Sequence, residues 1–316
     1  MLPGSEQGKR EPEKEKAVAE SSDPHRLLRE FQKCNEFFVG IDSDGCAFDT
    51  MEVKHKECFI PNIIRYYNLA AVSKYAREAA EFINLYSQWR GINRFPALIM
   101  SFDLLIERPE VLRRHHPIPA LTGLRRWVER ETKLSNPTLK AEVEATGNAD
   151  LVQALEWSEA VNRAIGEVVH HVPPFSFVRE SLESMQGRAD VMVVSTTPGE
   201  ALDREWQEHG LKPFVGLIAG QELGCKREHL ALGAVGRYEP HKILMVGDAP
   251  GDLQAAESNG ILFYPIDPGF EDESWQRFFE EGLPKFLSEN YAGAYMTAQI
   301  ARFKRLLPDT PPWQGR

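Results

Sequence analysis

Five short runs of the chain are apolar at consecutive positions, glycine included, instead of alternating: Phe37 to Ile41, Val191 to Val194, Val215 to Ile218, Ile243 to Val246 and Ile261 to Tyr264. Strands covered on both faces read this way, so these runs predict a parallel sheet buried between helices. Segments of helical period lie between them, at Glu200 to His209, Lys226 to Val235 and Asp252 to Ser258. Regular alternation of strand and helix predicts an α/β fold with a doubly wound, Rossmann-like sheet.

The interval after the first run breaks that rhythm. Residues 51–172 carry helical spacings such as Phe59, Ile63, Ile64 and Tyr67, and Pro96, Pro109, Pro117, Pro119 and Pro137 cut them into several helices. With no convincing strand there, the interval predicts an all-helical domain inserted after the first strand, and Pro173-Pro174 marks the return. The core is then residues 24–50 and 173–316, ending in a helical extension whose Phe270, Trp275, Phe278, Phe279 and Phe286 are spaced to pack on the sheet. Asp23-Pro24 reads as a helix start, with Asp as N-cap and Pro at the first helical position. Residues 1–23 are rich in Gly, Pro, Ser, Glu and Lys and predict a disordered tail.

Composition narrows the class. A chain of 316 residues with 42% hydrophobic residues can bury a substantial core. No apolar run approaches the ~18 residues of a membrane span and no signal-peptide pattern precedes the first helix, so a cytoplasmic protein without a membrane partner is expected. The formal charge of -10 argues against a nucleic-acid partner, but a local cation can still create an anion site. Four cysteines, Cys34, Cys46, Cys58 and Cys225, are too dispersed for a zinc or disulfide framework.

The candidate chemistry sits where apolar runs end. Asp42 and Asp44 are two apart after the first run and face one space if the extended geometry continues. Asp248 and Asp252 follow the fourth run, and the carboxyl ends of such strands are where open α/β sheets bind ligands. Three ionised carboxylates in one site repel by about 4 kcal/mol per pair at 4 Å. A hard divalent cation, Mg²⁺ by its oxygen preference, together with Lys226 would bring the site near neutrality and admit a phosphate dianion. Ser195 and Thr196, at the end of the second run, add a hydroxyl and a backbone N–H for phosphate binding. Asp42 could attack phosphorus, and Asp44 could protonate the leaving oxygen and later deprotonate water.

Asp42-Ser43-Asp44-Gly45, Ser195, Lys226 and Gly247-Asp248-x-x-x-Asp252 resemble, in order and strand context, the four motifs of the haloacid dehalogenase superfamily. The resemblance covers about residues 36–50 and 174–266, and the helical insertion is similar to that family's cap of the first type, as in beta-phosphoglucomutase and phosphoglycolate phosphatase. It implies Asp42 as nucleophile and metal ligand, and Asp44 as acid/base with its main-chain carbonyl on the metal. Ser195 and Lys226 would hold the phosphoryl group, with Asp248, and Asp252 directly or through water, on Mg²⁺. Asp44 is absent from dehalogenases of the family, so its presence favours phosphoryl transfer. Arg90-Gly91-Ile92-Asn93-Arg94 resembles the family's G-x-x-R cap segment, which nominates Arg94 for substrate contact, although arginines at helix ends ordinarily face solvent.

The expected activity is a Mg²⁺-dependent phosphatase acting on a small phosphorylated metabolite, with a cap that closes about hinges near Asp49 to Glu52 and Pro173-Pro174. A phosphomutase and a non-catalytic scaffold are the alternatives. Plainer roles compete at single residues: Asp248 and Asp252 as an N-cap and first-turn acid, Asp49 as a turn former, the histidines as surface or packing groups, and Cys46 as packing.

Overall fold

The computed structural model of the chain describes residues 23–314. Its centre is a five-stranded parallel sheet of order β3-β2-β1-β4-β5, with β1 Phe37–Ile41, β2 Ala189–Val194, β3 Leu217–Ala219, β4 Ile243–Gly247 and β5 Leu262–Pro265. The predicted runs form these strands, with β3 and β5 displaced toward their carboxyl ends. In β3 the displacement follows from a short helical turn, Lys212–Phe214, immediately before it.

β1 shows why the run is uninterrupted. Phe37, Val39 and Ile41 enter one core with Val178, Leu182, Trp206 and Trp275. Phe38 enters the other, with Leu230, Leu253 and Phe303. Successive side chains on opposite faces are both buried, so every position must be apolar. Because β1 lies between β2 and β4, the order of strands reverses beside it, and a crevice opens at their carboxyl ends.

Among the described residues, the interval between β1 and β2 is helical apart from its connections. It runs from Thr50–Val53 through a π-helical turn, Lys54–Phe59, into Ile60–Tyr66, reaches the long helix Ala149–Val168, and returns to the sheet through Val178–Met185. It has its own core, in which Phe95 meets Trp127 edge-on at 5.1 Å. Its two crossings to the sheet region lie side by side: Phe48 bridges Pro174, and Phe175 N–H donates to Ala47 O at 3.0 Å.

At the amino end, the Asp23 side chain accepts from His25 N–H and the helix begins only at Arg26–Glu30, two residues beyond the predicted Pro24 start. The expectation for residues 1–22 lies outside the described residues. The carboxyl extension is helical, and Trp275, Phe278 and Phe286 join the sheet's core as predicted, but Phe270 is 52% exposed because it caps the helix Glu271–Arg277 from outside. After the last helix, Ala294–Leu306, the chain crosses to the inserted region: Pro308 O accepts from Gln88 N–H, and Trp313 packs on Phe82 beneath the Arg108 guanidinium.

Candidate active site

Asp42 extends β1 by one ladder bond, its N–H donating to Val246 O at 3.0 Å. The extended geometry then stops. Ser43 O accepts from the N–H groups of Cys46, Ala47 and Phe48, which folds residues 43–48 into a compact loop. Asp44 therefore does not share a strand face with Asp42, contrary to the two-residue rule, and its carboxylate is engaged by the side chains of Thr50, Lys54 (2.5 Å) and Thr197 (2.6 Å).

The group gathered around Asp42 is instead Asp248 and Asp252, each buried and each offering one oxygen within 4.8 Å of the others. Asp248 follows β4. Asp252 lies in the first turn of Pro250–Asn259, where its Oδ2 accepts from Ala249 N–H while its Oδ1 accepts from Lys226. A local structural role and a place in the cluster thus belong to the same carboxylate. Lys226, the first residue of Lys226–Gly233, reaches Asp42 Oδ2 and Asp252 Oδ1, both at 2.7 Å.

A second cation is present that motif spacing did not assign to this cluster. Arg90, 2% exposed, places Nε 2.8 Å and Nη2 2.6 Å from Asp248 Oδ2, and its Nη1 donates to Leu85 O. The count inferred from sequence, one ammonium against three carboxylates, is corrected to one ammonium and one guanidinium. Arg90 stood in the quoted R-G-I-N-R segment, but no local signal in the sequence placed it beside Asp248, 158 positions away.

Even so, burial pushes Asp42 well above the usual carboxylate range against the pull of Lys226, with Asp252 and Asp248 adding repulsion. Asp248 is also raised by burial, against Arg90. Asp44 differs: burial is outweighed by Lys54, Thr197 and Thr50, which hold it at about 2. Glu205, which accepts from Ser43 Oγ, is raised to about 7 by burial and by Asp44.

The donor set suits a hard divalent cation. Asp42 Oδ1 accepts from Ser43 N–H, and Asp42 Oδ2 and both Asp252 oxygens are likewise occupied. Among the carboxylate oxygens of the cluster, Asp248 Oδ1 alone is buried without a hydrogen-bond partner. An oxygen left bare beside two other carboxylates is where a cation supplies what no donor does.

Asp42, Asp44, Lys226 and Asp248 line a cavity of about 1270 Å³ between the sheet edge and the helical insertion. Ser195 and Thr196 are on its wall; Ser195 Oγ accepts from Thr197 N–H, and Thr196 is exposed. The opposite wall includes Lys54, His55 and Arg94. Arg94 is not solvated as a helix-end arginine ordinarily is: Nη1 donates to Ser158 Oγ and Asn162 Oδ1, and the guanidinium covers Phe59 at 5.0 Å. His55 stacks on Phe59, and burial holds it at about 3, neutral at ordinary pH. Cys46 is buried against Val246 O, and burial followed by the three aspartates raises its thiol, in keeping with a packing role.

No protein-family model matches the chain, and no curated protein matches it. Solved structures do. A HAD-superfamily hydrolase of subfamily IA from Geobacter sulfurreducens is 19% identical, with 74% of this chain and 89% of that one covered at a TM-score of 0.37. A predicted phosphoglycolate phosphatase from Haemophilus somnus is 16% identical, covering 75% and 88% at 0.41. A protein named as a HAD hydrolase from Bacillus subtilis, bound to magnesium, is 10% identical, covering 73% and 87% at 0.42. The chain's structural neighbours are thus haloacid dehalogenase superfamily hydrolases and phosphatases.

Proposed function

We propose that the chain is a Mg²⁺-dependent phosphatase of the haloacid dehalogenase type, hydrolysing a small phosphomonoester metabolite through an aspartyl-phosphate. The observation that carries this reading is the buried cluster of Asp42, Asp248 and Asp252 around Lys226, opening on a cavity, with one carboxylate oxygen bare. The core of the enzyme would be residues 24–50 and 173–316, and the cap residues 51–172.

Asp42, Asp248 and the Asp44 carbonyl would hold the metal, with Asp252 supporting them. When bound, the cation supplies charge neutralisation at the phosphoryl oxygens. Asp42 would attack phosphorus while Ser195, the Thr196 N–H and Lys226 hold the equatorial oxygens. The bond from phosphorus to the leaving oxygen breaks, and the acyl phosphate is later cleaved by water. Asp44, ionised in this arrangement, is ready to take the proton of that water; donating one to the leaving group requires it to move off Lys54. Arg94, which lines the cavity, would contact the part of the substrate that is not transferred.

The test is a panel of phosphomonoesters with Mg²⁺, following released phosphate. At least one should turn over, and Asp42→Asn should lower the rate by about 10³-fold or more while the fold is preserved. Full activity in that variant, or a panel hydrolysed equally well in excess chelator, would sink the mechanism.

A further inference from the structure

Arg90 belongs to the helical insertion, not to the sheet, yet its guanidinium is as deeply buried as the carboxylates it meets. Two glycines make that reach possible. Gly45 has φ of +76°, and a Cβ there would stand 2.6 Å from Arg90 Nη2 and 2.7 Å from Asp248 Oδ2. Gly91 has φ of +80° and a Cβ there would meet Ala249 Cβ at 3.0 Å, so the insertion's loop lies directly on the turn that carries Asp248. Arg90 N–H donates to Ser87 O and Nη1 to Leu85 O, which fix both ends of the side chain. The guanidinium takes Asp248 Oδ2 and leaves Oδ1 bare toward Asp42 and Asp252.

We infer that Arg90 is a resident counter-cation that shares Asp248 with the divalent ion, lowering the site's affinity for metal and raising its affinity for phosphate. This rests on the phosphatase reading, since it takes the divalent ion to bind at Asp248. The three carboxylates and Lys226 alone carry a formal charge of about -2; Arg90 brings it to about -1, and a divalent ion then makes it about +1. Without Arg90 the metal-loaded site would be neutral and would have less to offer a phosphate dianion. Arg90 also orients Asp248, as outer partners of ligating carboxylates do, but orientation alone would change both affinities in the same direction.

That difference supplies the test. Isothermal titration of the full chain with Mg²⁺, then of the Mg²⁺-saturated protein with inorganic phosphate, compares wild type with Arg90→Gln and Arg90→Lys. Arg90→Gln should bind Mg²⁺ about tenfold more tightly and phosphate about tenfold more weakly. Arg90→Lys, which keeps the charge but loses the planar fork, should shift both affinities less than Arg90→Gln does. If both ligands weaken in Arg90→Gln, Arg90 is only structural; if neither changes, it is not coupled to the site. Should Arg90→Gln fail to fold, an Arg90→Lys protein whose affinities depart tenfold from wild type in the same sense for both ligands overturns the charge argument. Wild type that binds no Mg²⁺ overturns the metal reading itself, a result distinct from any failure in the variants.

Discussion

Asp44 and Glu205 show how partners set opposite outcomes for two buried carboxyls that influence one another. Lys54 and two hydroxyls hold Asp44 down, so its contribution to stability is present above the unfolded-state value near 4 and is lost as pH falls toward about 2. Glu205 is raised to about 7 by burial and by Asp44 against the weaker pull of Lys54, so its folded form is favoured below about pH 4.5 and the advantage is lost as pH rises through about 7. Glu205→Gln should therefore stabilise the protein by on the order of 1 kcal/mol at about pH 8 and by nothing near pH 4. Thermal melts of the two proteins at both pH values measure this, and an equal difference at each would refute it. The identity of Asp44 was legible in the D-x-D-G motif, but its partners were not. Thr197 and Lys54 come from separate elements, and only the loop at 43–48 decides that the carboxylate faces them.

Among the elements, the carboxyl extension does more than cover the sheet. Its last residues leave Ala294–Leu306 and bind the helical insertion through Gln88 N–H to Pro308 O and through Trp313, which touches Phe82 and Arg108. The insertion is thus joined to the core by its two chain crossings, by Arg90 on Asp248 and by this strap. Trp313→Ala should remove about 1–2 kcal/mol of packing and cation–π attraction, confined to the strap. Hydrogen exchange at the Gln88 amide should quicken several-fold while amides of β1 keep their protection; unchanged exchange at Gln88 would mean that the strap holds without its tryptophan. The periodicity of the aromatic residues forecast packing for Trp275, Phe278 and Phe286, because helix spacing fixes which residues share a face. It could not forecast Trp313, which follows a non-helical stretch and finds its pocket on a distant part of the chain.

Across the whole molecule, the buried acidic cluster makes stability depend on pH and, in the proposed reading, on metal. Asp42 and Asp248 are raised by burial and mutual repulsion, so in chelator they favour the folded state most when protonated, below about pH 4, and lose that advantage as pH rises. A bound divalent ion removes the penalty. Addition of Mg²⁺ should therefore raise the melting temperature more at pH 8 than at pH 5, and its dissociation constant should rise at least severalfold between those values. Calorimetric titration at the two pH values checks this; an affinity independent of pH would place the ion elsewhere. The sequence by itself determined the α/β class, the helical insertion and most strand positions, because burial on both faces of a sheet forces continuous apolar runs. It also determined which acidic pairs end those runs, Asp42 with Asp44 and Asp248 with Asp252. Tertiary structure decided which carboxylates meet: Asp42 joins Asp248 and Asp252 because β1 pairs with β4, while the turn after Asp42 takes Asp44 away. It also decided the local charge, by bringing Arg90 across from the insertion into space that Gly45 leaves open, a contact between residues 158 positions apart that local pattern does not encode.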